Sequence, residues 1–341
     1  MGVDSPRLIA DAHNDLLLEL AFRARAGERG NLFARHWLPQ LERGGVGLQV
    51  CPVSAPLEAD REAALRAAVE QVAAFERATR ENADRVVAVR SRADLEEVEH
   101  GRIGLVLSLE GAEPLGEDVG SAEAFFELGV RMVSLTWNTS NAFASGAAGT
   151  GGLTALGAKL VDRLAELGVI LDLVHASEAT FWDVLERCGE AQLVVSHAAC
   201  RALLDHPRNL SDEQLRAVAE RGGVLCLMQL PLVIDHEHPV IDRVVDHLDH
   251  AVSVMGIDRV GLGADFIRQV SRALRLEVSP TDTLLPAGMT LDAAIEGLAG
   301  PEDYPRLVAA LRGRGYAGER LDAVLGGNLT ALLRTALPEP P

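Results

Sequence analysis

The chain has 341 residues, 48% of them apolar, which is enough for a large core and fits one α/β barrel as a single domain. Its 32 Lys and Arg stand against 50 Asp and Glu, and the net charge of −18 argues against nucleic acid or anionic membrane as a partner. No apolar stretch reaches the length of a membrane span, Met1 to Arg7 lacks the apolar core of a signal peptide, and the polar tail Ala336–Pro341 has no anchor signal, so a cytoplasmic location is expected.

Eight strand-like runs follow in order: Leu8–Leu16, Gly45–Ser54, Ile103–Gly111, Val130–Trp137, Val169–His175, Gln192–Ala198, Gly223–Leu230 and Arg259–Phe266. Each is short and rich in Val, Leu and Ile, as a parallel strand buried on both faces requires. Helical segments alternate with them: Leu57–Asn82, Thr154–Leu167, Ser177–Arg187, Ser211–Arg221 and Ile241–Met255. Ser177 and Ser211 are good N-caps, and Gly168 can stop the helix before it. This alternation predicts an α/β fold, a (β/α)8 TIM-like barrel. A doubly wound open sheet would carry a Gly-rich phosphate turn after its first strand, where this chain has His13-Asn14-Asp15. Asn138–Gly152 reads as a mobile loop over the strand ends, and Arg268–Pro286 as a second long connection placed where a lid would be. Residues from about 290 to 337 read as a helical segment packing on the barrel, which makes 1–341 one domain. Cys51, Cys188, Cys200 and Cys226 lack CxxC spacing and read as reduced thiols, those of Cys51 and Cys226 buried in apolar runs.

The acids and histidines fall at the carboxyl ends of these runs. His13 and Asp15 end the first, Glu110 the third, His175 the fifth, His197 the sixth and Asp265 the eighth. Barrel enzymes place their sites at that end. If His13 and Asp15 lie on a strand, their i, i+2 spacing points both side chains to one face. An ionised Glu110 after an apolar run is costly unless paired, by an arginine or a metal. Neutral imidazoles suit Zn, Fe or Ni. Two cations are expected, one on His13, Asp15 and Glu110, the other on Glu110, His175 and His197. Paired metals about 3.5–4 Å apart can hold a bridging hydroxide that attacks at neutral pH. Asp265 is then the general base and acid. Arg208, in His206-Pro207-Arg208-Asn209, can grip a substrate carboxylate through two hydrogen bonds or brace the Ser211 helix. His236 and His238 read as solvated turn residues, His247 and His250 as solvent-facing on a helix, and His36 and His100 as unpartnered in sequence.

These residues resemble the membrane dipeptidase (renal dipeptidase) family of metallopeptidases, in the amidohydrolase superfamily. The matching stretches include Asp11-Ala12-His13-Asn14-Asp15, Ser108-Leu109-Glu110-Gly111, Leu171-Asp172-Leu173-Val174-His175, Val195-Ser196-His197, His206-Pro207-Arg208-Asn209 and Gly261-Leu262-Gly263-Ala264-Asp265-Phe266, in family order over nearly the whole chain. The resemblance implies a (β/α)8 barrel holding two zinc ions, dipeptide hydrolysis that tolerates a D-residue at the C-terminal position, and a homodimer. It maps the metal ligands onto His13, Asp15, Glu110, His175 and His197, the carboxylate-binding arginine onto Arg208 and the proton-handling aspartate onto Asp265. Related barrels bridge their metals with a carbamylated lysine. Here the only lysine, Lys159, lies mid-helix, which leaves Glu110 as the bridge.

Two positions depart from the family pattern. The histidine that contacts the substrate carbonyl oxygen is replaced by Trp137, whose indole can donate one hydrogen bond but cannot take up a proton or a charge. Asn138 or Asn141 is the candidate replacement donor, since losing an oxyanion donor can cost roughly 100–1,000-fold in rate. Asp265-Phe266 is followed by Ile267-Arg268 instead of Asp-Gly, which alters the pocket wall. Three functions follow from these features: a dinuclear zinc dipeptidase, a metal-dependent hydrolase of another carboxylate-bearing amide or lactone such as an N-acyl amino acid, and a non-catalytic metal-binding barrel. The first is favoured by the complete ligand set.

Overall fold

The structure is a computed structural model describing residues 8–56, 59–277, 284–286 and 288–339. Its parallel strands are β1 (Ile9–Asp11), β2 (Val46–Ser54), β3 (Val86–Ala88), β4 (Ile103–Glu110), β5 (Val130–Ser134), β6 (Ile170–Asp172), β7 (Leu193–Ala198), β8 (Val224–Leu227) and β9 (Val260–Leu262). β1, β2, β4, β5, β6, β7, β8 and β9 close a ring, with β9 beside β1 and β2 beside β4. This is the expected (β/α)8 barrel. Every expected strand run contains one of these eight. β3 was not expected. It is three residues long and adds to the start of β4, pairing with Ile103–Leu105.

Burial explains the strand composition. All eight residues of β4 are buried, including Ser108 and Glu110. Alternate residues divide between two cores. Leu48, Val50, Val106, Ile170 and Val194 share one cluster, and Cys51, Val53, Leu105, Leu107 and Val195 share the other. The first is the barrel interior, and the second lies between strands and helices. The Asn328–Ala336 helix and the residue after it add Leu329, Leu332, Leu333 and Leu337 to the interior cluster, so this helix plugs one end of the barrel. A buried leucine contributes about 1.5–3 kcal/mol.

Helix starts follow the sequence closely. Thr154, Ser177 and Ser211 each accept the backbone N–H three residues on, and Ser211 forms a capping box with Gln214. Each such cap stabilises by about 1 kcal/mol. The C-terminal boundary differs from expectation. Residues from Thr290 to Gly300 form turns and isolated bridges, and helix begins only at Pro301. Of the Arg268–Pro286 connection, Arg268–Leu274 is helical, and residues 278–283 lie outside the described ones, as do 1–7 and 340–341. Among the described residues, no helix is long and apolar enough to cross a membrane. All four cysteines are buried and unpaired.

Candidate metal centre

The acids and histidines do converge at one end of the barrel. Glu110 is the last residue of β4, and His197 lies within β7. The others lie just past the strands. β1 stops at Asp11, so His13 and Asp15 are not on a strand face as expected. His13 sits in the connection, and Asp15 is the N-cap of the Leu16–Arg25 helix. The turn into that helix brings them together. His175 follows β6 and Asp265 follows β9, and both have left-handed backbones, with φ of 60° and 57°. Such angles are uncommon for residues with a Cβ and persist where surrounding bonds impose them.

The donor atoms crowd one another. Glu110 Oε1 lies 2.9 Å from His175 Nε2, 3.5 Å from His197 Nε2 and 3.6 Å from His13 Nε2. The two Nε2 atoms of His175 and His197 are 3.0 Å apart. Donor atoms of His13, Asp15 and Asp265 lie within 4.8 Å of one another. The other ring nitrogen of His175 and of His197 is committed. His175 Nδ1 meets Asn138 Oδ1 at 2.7 Å. Arg208 Nη1, which can only donate, meets the same Asn138 atom at 3.5 Å and identifies it as the amide oxygen. His197 Nδ1 meets Ser196 Oγ at 2.9 Å, and that hydroxyl bonds Asp172. Both imidazoles therefore carry their proton on Nδ1 and turn Nε2 lone pairs toward each other. Facing lone pairs at 3.0 Å repel unless a cation lies between them. His13 Nε2 is buried and has no hydrogen-bond partner among the described residues.

The electrostatics favour the same occupant. Burial pushes Glu110 well above the ordinary carboxylate range, with Asp15 and Asp265 adding to it. Burial, then Asp265, raises Asp15 to about 8. Burial raises Asp265 to about 6, against the pull of Arg208. Burial and the Arg208 charge lower His13 to about 3, and His175 is held well below its ordinary value by the same two causes. Burial, then His13 and Arg208, lowers His197 in the same way. Neutral imidazoles among crowded carboxylates are a donor set that fits divalent cations.

The expected substrate residues divide. Arg208 is buried beside the cluster, with Nη2 donating to His197 O at 3.3 Å and its backbone N–H to His206 Nδ1 at 3.1 Å. The Ser211 helix is capped by its own Ser211 and Gln214. The half-buried Trp137 ring lies 5.5 Å from that of His175. Asn141 is not brought into the cluster. Its Nδ2 donates to Glu113 Oε1 and Leu135 O, and its Oδ1 accepts from Phe143 and Ala144 N–H. Nor is Asn138–Gly152 a free flap. Ala147 N donates to His175 O at 2.8 Å, and at Gly146 any Cβ would collide with the carbonyls of Trp137 and Asn138. His247 is buried rather than solvent-facing, and its ring joins Cys200 N to Ile234 O. The sequence reading gave no role to Asp11 and Asp172, which end β1 and β6 and are buried. A carboxylate closing an apolar run is the signal that could have found them.

Comparison with known proteins agrees with this geometry. The profile of "Membrane dipeptidase (Peptidase family M19)" matches residues 3–282. A Klebsiella pneumoniae protein described as "Uncharacterized protein in pqqA 5'region" is 31% identical over 280 residues, covering 78% of this chain and 94% of its own length. "Dipeptidase verJ" of Clonostachys rogersoniana is 27% identical over 332 residues, covering 96% of this chain and 76% of its own. A solved metallo peptidase from Rhodobacter sphaeroides, liganded with a phosphinate mimic of the dipeptide L-Ala-D-Ala, shares the fold with a TM-score of 0.82 at 24% identity, covering 96% of this chain and 99% of that one. The chain belongs to the membrane dipeptidase family and is a metallo-dipeptidase.

Proposed function

We propose that the chain hydrolyses dipeptides, including those with a D-residue at the C-terminal position, with the help of two zinc ions. The observation that carries this reading is Glu110 Oε1 standing 2.9–3.6 Å from the Nε2 atoms of His175, His197 and His13. A carboxylate in that place can serve two cations. His13, Asp15 and Glu110 would hold one, and Glu110, His175 and His197 the other. When bound, the ions supply Lewis acidity and a water acidic enough to be a nucleophile at neutral pH.

The chain's own groups do the rest. Arg208 grips the C-terminal carboxylate of the substrate. Asp265, raised to about 6 by burial, takes the proton of the attacking water and gives it to the amine released as the C–N bond breaks. Asn141 spends its amide hydrogens on Glu113 and Leu135, whereas Asn138 accepts through its oxygen and keeps its NH2 group as a donor, so Trp137 and Asn138 are the groups that can offer a hydrogen bond to the substrate carbonyl oxygen. The dipeptide-mimic complex of the Rhodobacter sphaeroides protein supports the substrate class and the D-residue. The reading carries with it a single-domain chain, the homodimer usual in the family and a cytoplasmic location.

Trp137 favours a second reading. Its half-exposed indole beside His175 suits an apolar acyl group, and N-acyl amino acids also present a carboxylate to Arg208. Zinc-loaded protein assayed on L-Ala-D-Ala, L-Ala-L-Ala and N-acetyl-L-alanine separates the two. Cleavage of a dipeptide supports the first reading; cleavage of the N-acyl compound alone replaces it with the second.

A further inference from the structure

We propose that Asp11 and Asp172 are positioning residues, each a carboxylate staple that holds one half of the metal centre in shape. The inference rests on the two-ion reading above.

The two residues make matching sets of bonds. Asp11 Oδ1 accepts the N–H of His13 at 3.1 Å and of Ala264 at 3.0 Å. Asp172 Oδ1 accepts the N–H of Val174 at 3.1 Å and of Ser196 at 3.0 Å. In each set one donor lies two residues on in the same segment, and the other belongs to the neighbouring barrel strand or its exit. Asp11 thereby ties the segment bearing His13 to the one bearing Asp265. Asp172 ties the segment bearing His175 to the one bearing His197.

β1, β6 and β9 end at Asp11, Asp172 and Leu262, and backbone bonds continue a little beyond them, from Ala12 N to Leu262 O, Asp265 N to His13 O and Leu173 N to Val194 O. The buried N–H groups of His13, Ala264, Val174 and Ser196 turn to the two carboxylates instead, so the staples add to that backbone ladder. The staples also act where the backbone is under strain. Ala264 precedes Asp265, and Val174 precedes His175. These second residues have φ of 57° and 60°. Each staple thus holds the peptide one residue ahead of the one that leads into the strained position. Asp172 goes further, because it also takes the Ser196 hydroxyl and leaves Ser196 Oγ to accept His197 Nδ1–H. The placement is costly, since burial raises Asp11 to about 7 and Asp172 to about 6. A group needed only to fill space would not be a carboxylate.

Cobalt(II) titration of the metal-free full chain, followed by visible absorption and calorimetry, tests the staples. The two ions are identified by the band lost in Asp15→Ala and the band lost in His175→Ala. Asp11→Ala is expected to weaken the first ion about 10–100-fold and leave the second within about threefold; Asp172→Ala does the reverse. Asp11→Asn keeps an oxygen for both N–H groups and restores the first ion. If Asp11→Ala does not fold, Asp11→Ser replaces it, its shorter hydroxyl falling short of Ala264 N, with Asp11→Asn again the restoring variant. Equal weakening of both ions in each variant, or no change in either, overturns the staples while leaving the two-ion reading intact. A wild-type chain that binds no cobalt overturns the two-ion reading itself.

Discussion

His175 Nδ1 stands 2.7 Å from Asn138 Oδ1, so the amide oxygen fixes the proton on Nδ1 and leaves Nε2 free to face Glu110. Asn138 is also a candidate substrate donor, and its amide oxygen stands behind the candidate ligand His175. Asn138→Ala is expected to lower zinc affinity by about 10–100-fold, measured by competition with a chromogenic chelator. Unchanged affinity would return Asn138 to the substrate side.

Arg208→Ala is expected to raise KM for a dipeptide about 10–150-fold, the equivalent of about 1.5–3 kcal/mol for a lost charge-assisted hydrogen bond. The control is the corresponding dipeptide amide, which has no carboxylate. Its KM should be high with the wild type and unmoved by the substitution. An equal rise for both substrates would mean that Arg208 matters through His197 O and Asn138, which it also contacts.

Asp265→Asn separates a proton-handling role from a ligand role. Its donor atoms lie near those of His13 and Asp15, so both are geometrically open. The expected result is a fall in kcat of about 100–10,000-fold with zinc affinity within about threefold of wild type. Loss of an ion on substitution would make Asp265 a ligand.

Stability of the metal-free chain should depend on pH in a definite sense. Burial raises Asp11 to about 7, and burial and Asp265 raise Asp15 to about 8, from an ordinary value of 3.8. The folded chain therefore keeps protons that the unfolded chain releases. That contribution is complete below pH 3.8 and is lost as pH rises through 7 and 8. His13, lowered from 6.5 to about 3, acts oppositely, and its contribution is lost as pH falls from 6.5 to 3. From about pH 7.5, a unit above 6.5, His13 is largely neutral in both states and the raised carboxylates set the slope. Thermal melts in chelator should show Tm falling as pH rises from about 7.5 through about 8.5, and saturating zinc should abolish the fall. A flat metal-free profile would show that these carboxylates are already compensated.

Much of this centre was legible in the sequence because its residues close apolar runs. Glu110 after Leu105–Leu109 and His197 after Leu193–Ser196 are visible without coordinates. What was not legible depends on contacts distant in sequence. The Ala264 N–H bond to Asp11 spans 253 residues, and no spacing rule finds it. His13 and Asp15 were brought together on the wrong ground, since a helix N-terminus rather than a strand places them. His247 looked like surface because its helix is rich in charge, yet its ring serves two buried backbone groups. β3 escaped because three residues carry no period.

The most direct test is metal content. Purified chain, stripped with chelator and dialysed against zinc, should retain two ions per chain by elemental analysis and lose one of them on Asp15→Ala. Retention of less than one ion by the wild type would contradict the account, whatever the activity of the preparation.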